Sequence, residues 1–145
     1  MTTVDFHAGL GDKLAYACRL VRKAWRNGHR VVVTAESSEL ARLDQLLWTF
    51  EPGEFIPHLR LRPGAAPVAR MARTPVWLAD RPADAQARDV LVNLGPGFVS
   101  ESPAFARVFE LVGRDEDDAA AGRQRWRQHR AAGLEPRLHS VDGAA

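Results

Sequence analysis

The 145-residue sequence has a single cysteine, Cys18. That excludes an internal disulfide framework and any multi-cysteine zinc or iron–sulfur site, and it fits a reducing compartment. Long apolar runs are also missing. None approaches the roughly 20 residues of a membrane-spanning helix, and Met1 to Leu10 lacks the basic-then-apolar order of a signal peptide. The expectation is a cytoplasmic protein with no membrane contact. Charge of one sign is scarce as well: 20 basic against 18 acidic residues leave a formal +2, too little for a general nucleic-acid coat. The 46% of hydrophobic residues, with Gly 11 and Pro 9, match one globular domain and exclude a disordered or collagenous chain.

What is present is an alternation of strand and helix signals. Thr3 to His7 is β-prone, and after a turn at Gly9-Leu10-Gly11, Asp12 caps a helix whose stripe is Leu14, Ala17, Cys18, Val21, Ala24 and Trp25. Asn27-Gly28 ends it, and His29 to Thr34 reads as a buried strand. Ser37 or Ser38 caps a second helix, with Leu40, Leu43, Leu46, Leu47 and Phe50 as its stripe and Trp48 beside it. Phe55 to Pro75 reads as loop with one short extended piece around Val68. Val76 to Leu78, Asp89 to Leu94 and Phe105 to Val112 read as strands, and Glu116 to Ala132 as a last helix closed by Gly133. The spacing predicts a single α/β domain over residues 1–133, a largely parallel sheet flanked by helices. Residues 134–145 are expected to form a tail with little regular structure, and no repeat is visible.

Candidate chemistry is sparse. Gly9-Leu10-Gly11 after a strand resembles the start of a dinucleotide site, but Leu14 stands where the third glycine would fall, and Lys13 lacks the full spacing of a phosphate-cradling loop. Two readings stay open: a simple turn, or the nucleotide site of a small enzyme or sensor. Gly95-Pro96-Gly97 poses the same choice. The histidines His7, His29, His58, His129 and His139 show no metal-ligand spacing, and no carboxylate accompanies them in a recognisable order. Cys18 on an apolar stripe reads as a small hydrophobe, and Ser100 and Ser102 lie outside any nucleophile elbow. No cofactor, metal or catalytic residue is expected.

Two surfaces suit partners instead. Trp48 beside its stripe, with Phe55, Ile56, Pro57 and His58 just beyond Glu51-Pro52-Gly53, either folds back onto the core or anchors an interface. Near the end, the acidic run Asp115 to Asp118 precedes Arg123, Arg125, Arg127 and Arg130. A solvated helix that follows its macrodipole would read this way. Yet Arg123, Arg127 and Arg130 share a face bordered by Trp126, and guanidinium groups beside an indole suit a carboxylate or phosphate carried on an apolar body.

In order and spacing these residues resemble the chi subunit of bacterial DNA polymerase III. The resemblance rests on Ala17-Cys18-Arg19-Leu20, Lys23 to Val31, Leu43 to Phe50, Phe55-Ile56-Pro57-His58, Ala66-Pro67-Val68, Asp89 to Leu94, and Gly122 to Arg127 with Arg130 and Gly133. It covers almost the whole chain. The resemblance implies a nucleotide-binding-like, Rossmann-like fold without a cofactor site, and a non-catalytic adaptor in DNA replication. Such an adaptor links the clamp loader, through the psi subunit, to the acidic C-terminal tail of single-stranded DNA-binding protein. Carried over by position, Trp48 and Phe55 with Pro57 and His58 would form the psi surface. Arg123, Trp126, Arg127, Arg130 and Val112 would form the tail site. DNA contact would be indirect, and the chain a monomer or a 1:1 heterodimer with psi. Trp126 and His129 depart from the aromatics that relatives often carry there, and the loop after the first strand is short and glycine-rich.

Overall fold

The computed structural model describes residues 1–50, 53–65 and 71–141, and its first strand is longer than the sequence suggests. Strand β1 spans Thr3–Leu10 and carries Gly9 inside it at φ 80°, where the pairing register shifts between His7 and Leu10. A left-handed residue in a bulge is a natural place for glycine. A Cβ on Gly9 would lie 3.3 Å from the Val141 carbonyl oxygen, and one on Gly11 would lie 2.9 Å from the Arg114 guanidinium. Both glycines therefore admit close approaches made by the protein itself.

Helix α1, Lys13–Arg26, starts as expected: the Asp12 carboxylate accepts from the Ala15 N–H at 3.1 Å. Its stripe buries Ala17, Cys18 and Val21 completely, and burial pushes the Cys18 thiol up to about 11, which leaves it inert. Strand β2 is Val31–Thr34 and helix α2 is Ser37–Thr49. The expected serine cap is corrected here. Glu36 occupies the cap position without a side-chain bond, and the Ser37 hydroxyl accepts instead from Arg60 Nη2 at 2.9 Å.

The expected loop after Phe55 contains strand β3, His58–Leu61, which among the described residues pairs only with β4, Val76–Ala79. A four-residue edge strand, only one of whose residues is fully buried, leaves a short pattern to read. The extended piece expected around Val68 lies outside the described residues. Strand β5 is Val90–Asn93, β6 is Arg107–Gly113 and helix α3 is Glu116–Ala131, with Asp115 as its cap. The expectation of an irregular tail is corrected at β7, Arg137–Ser140, which pairs in parallel with β1 from Asp5 to Ala8. All four of its residues are exposed, so no buried run announces it.

The sheet order is β3-β4-β2-β5-β6-β1-β7 and every pair is parallel. The expected α/β domain, a parallel sheet flanked by helices, is the one observed. Right-handed crossovers decide the layers. The chain travels one way through α1 and α2 and the opposite way through α3, so α3 lies on the other face. One core accordingly joins Ala17, Val21, Leu40 and Leu43 to Val31, Val33 and Leu78, and the other gathers Val4, Phe6, Val32, Trp77 and Val112 with Trp126 against it. Among the described residues no helix is long and apolar enough to cross a membrane.

Candidate protein-interaction surfaces

Helix α3 is held to the sheet by charge where most helices use apolar side chains. Glu110, on the α3 face of β6, is fully buried and accepts from Arg125 Nε at 2.8 Å and from Asn93 Nδ2 at 3.0 Å. Its other oxygen lies 2.7 Å from His129 Nε2. His129 Nδ1 is buried without a hydrogen-bond partner, so the ring meets Glu110 through Nε2 alone. Arg125 also donates to the Pro96 carbonyl at 3.2 Å, tying down the Gly95-Pro96-Gly97 turn. Arg125 thus leaves the row of surface arginines and becomes a core residue.

That anchoring sets the rotation of the helix, and the rotation creates a groove. A cleft of about 590 Å³ opens between α3 and the β1–β7 edge. Phe6, Ala8, Val112, Trp126 and Leu138 supply its apolar walls, and Arg114, Arg123 and Arg127 its cationic rim. Phe6 and Trp126 pack with ring centroids 5.1 Å apart. Gly122 lets α3 lie close against β6, since a Cβ there would come within 2.9 Å of both Val112 methyl groups. Arg123 pairs with the exposed Glu116 at 3.2 Å, and Arg127 donates to Gln124 at 2.6 Å.

Four of the expected tail-site residues, Val112, Arg123, Trp126 and Arg127, are therefore brought together. Arg130, exposed one turn on, does not line the cleft. Sequence reasoning missed Arg114, Phe6, Ala8 and Leu138. Period-two alternation places Phe6 with Ala8, and Val112 with Arg114, on one face. Leu138 carries no such signal, because every residue of β7 is exposed.

The second surface lies on the α1 and α2 side. Trp48 is 55% and Phe55 57% exposed, and their ring centroids are 5.4 Å apart. His58 closes the cluster, its ring 4.8 Å from that of Trp48 and its Nε2 2.8 Å from the Asp44 carboxylate. Pro57 is half-buried beside the buried Ile56. Glu54 holds this segment to α1, accepting from Arg22 Nε at 2.6 Å and pairing with Arg26. Both aromatics stay in solvent, so the alternative in which they fold back onto the core is corrected.

The histidines also need correction. His29 pairs with Asp89, His58 with Asp44, His129 with Glu110 and His139 with Asp5, across separations of 14 to 134 residues that no local pattern reveals. Among the described residues no group of three or more His, Cys, Asp or Glu side chains could hold a metal.

At the carboxyl ends of β2, β4 and β5, where α/β folds commonly place ligands, a cleft of about 580 Å³ is rimmed by Glu36, Asp80, Asp84 and Glu101. Its single arginine, Arg81, is paired with Asp84 at 3.2 Å. Such a rim repels phosphate.

Comparison with known proteins agrees along nearly the full length. The family model described as DNA polymerase III chi subunit, HolC, matches residues 1–137. The chain is 39% identical to the DNA polymerase III subunit chi of Pseudomonas aeruginosa, over 97% of this chain and 98% of that protein. It is 32% identical to that of Haemophilus influenzae, over 81% and 79% of the two chains, and 31% identical to that of Escherichia coli, over 92% and 86%.

Proposed function

The chain belongs to the chi subunit family of DNA polymerase III, an accessory subunit of DNA replication, and from that premise we propose that it works as a non-catalytic adaptor with two separate docking surfaces. The α3 groove takes the acidic C-terminal tail of single-stranded DNA-binding protein. The Trp48–Phe55 cluster takes the psi subunit and so ties the chain to the clamp loader.

The groove carries this reading. A tail that ends in acidic residues, an aromatic ring and a free carboxylate needs an apolar notch for the ring and guanidinium forks for the charge. Val112, Trp126 and Phe6 form such a notch, and Arg114, Arg123 and Arg127 surround it. The second surface supports a different partner, since two exposed aromatics in contact suit an apolar anchor point and neighbour no free cation cluster.

The test is an orthogonal pair of variants. A hydrogen bond to a charged group contributes about 1.5–3 kcal/mol, so Arg123→Ala weakens an acidic tail peptide about ten- to hundredfold and leaves psi co-purification intact. Truncating an aromatic anchor costs about 2 kcal/mol or more, so Phe55→Ala loses psi roughly thirtyfold and leaves the peptide affinity unchanged. Calorimetry for the peptide and co-purification for psi read the two arms. If both variants lose both partners, or neither variant loses either, the two-surface reading fails.

A further inference from the structure

A second cluster of positive charge lies outside both surfaces. On the α1 face of the sheet, beside the edge strand β7, a hollow of about 350 Å³ is bounded by α1, β1, β6 and β7. The alternation that turns Phe6, Ala8 and Leu138 toward the groove turns Asp5, His7, Arg137 and His139 toward this hollow. Helix α1 adds Tyr16 and Lys23, and β6 adds Arg107 and Phe109.

The charges there do not cancel. Among the described residues Asp5 is the only carboxylate lining the hollow, and it is 2% exposed. It lies 3.0 Å from Arg137 Nε, 2.9 Å from His139 Nε2 and 3.9 Å from Arg107 Nη2. Burial alone would raise its pKa, but hydrogen bonds from His139 and Arg137 reverse this and hold it below the usual carboxylate range. One negative charge therefore faces three permanent positive ones: Lys23, Arg107 and Arg137. Lys23 has no ion-pair partner among the described residues, and His29 at the rim is committed to Asp89. Two positive charges remain over before any histidine is protonated. His7 registers this field: burial first, then the charges of His139, Arg107 and Lys23, lower its pKa, with Asp5 opposing them.

We propose that this hollow binds a phosphate monoester, with Lys23, Arg107 and Arg137 holding the dianion and the Tyr16 and Phe109 rings flanking the group that carries it. The two surplus charges match a dianion better than a single carboxylate, and guanidinium groups fit phosphate oxygens in pairs. Asp5 already orders Arg137 and His139, so less side-chain freedom is lost on binding. The hollow, at about 350 Å³, also has room beyond a phosphate, which suits a sugar or a base. A mononucleotide and the phosphorylated end of a nucleic-acid strand share this chemistry. An internal phosphodiester, with one charge, does not.

Calorimetry on the full chain at low salt tests the proposal, with inorganic phosphate, deoxyadenosine monophosphate and a short single strand with or without a 5′-phosphate as probes. Chloride at matched ionic strength is the control. Phosphate and the mononucleotide bind saturably, and Lys23→Gln and Arg107→Gln each weaken them about tenfold. Both side chains are exposed, so the melting temperatures without phosphate stay at the wild-type value, and Arg123→Ala leaves phosphate binding unchanged. A 5′-phosphorylated strand that binds more tightly than the mononucleotide identifies strand ends as the source. Equal affinities identify the free nucleotide. Absence of saturable binding above the chloride control, or wild-type affinity in both Gln variants, overturns the proposal.

Discussion

Arg123 and Arg125 stand two residues apart on α3 and meet opposite surroundings. Arg123 is exposed and pairs with an exposed Glu116, whereas Arg125 is fully buried against Glu110 and His129. The outer pair is replaceable. An exposed ion pair contributes about 0.2–1 kcal/mol, so an incoming carboxylate can take the place of Glu116. The inner cluster cannot be exchanged in that way, because losing one partner strands a charge away from water. One helix thus fixes its rotation with charges on its inner face and presents charges of the same kind to solvent on its outer face.

The largest expected effect breaks the inner side of this comparison. Arg125→Ala leaves Glu110 buried without its guanidinium and destabilises the fold by about 3–5 kcal/mol, a large part of the stability of an ordinary domain. Arg123→Ala leaves the midpoint of urea unfolding nearly unmoved. Equal midpoints for the two variants would show that burial does not separate these arginines.

A smaller effect sharpens the outer side. Glu116→Gln frees Arg123 from its internal competitor and tightens the acidic tail peptide by up to about fivefold, the equivalent of one exposed pair. Fluorescence anisotropy with a labelled peptide measures it, and an unchanged or weaker affinity would remove Glu116 as a competitor.

The smallest effect extends the contrast to the histidines. His129 sits against a carboxylate inside the protein, whereas His7 is half-buried beside the Tyr16 hydroxyl, with Asp5, His139, Arg107 and Lys23 around it. Burial, reinforced by those cations, lowers the His7 pKa below its ordinary 6.5. The unfolded chain then binds the proton more readily than the folded one, so stability falls as pH drops below about 6.5 toward the folded value. Replacing His7 with Asn flattens the slope of unfolding free energy between about pH 7.5 and 5.5. A slope as steep as that of the wild type would assign the acid sensitivity to another group.

Much of the scaffold was legible. The stripe from Leu14 to Trp25, the Asp12 cap and the apolar runs at Val31, Val76, Val90 and Val108 each carry their structure within a few residues, because helix and strand periodicities are local properties. Strands β3 and β7 were not legible, since both lie at sheet edges with little burial to impose a pattern. Trp48 and Phe55 are legible as aromatics flanking the second helix, but their mutual contact and exposure depend on Glu54, which is tied to Arg22 and Arg26.

The sequence by itself determined the α/β class, the order of most elements and the presence of arginines and Trp126 on the last helix, because spacing and capping act over a turn or two. Only the tertiary structure decided which of those arginines faces solvent and which faces the core. Between Glu116 and Ala131 the apolar residues are alanines and one tryptophan, too weak a stripe to set the rotation of the helix. Glu110, brought beneath it by the pairing of β6 with β1 and β5, sets that rotation through Arg125 and His129. The physical reason is that a buried carboxylate must find its cations wherever the fold supplies them, and that supply is fixed by contacts between residues distant in the chain.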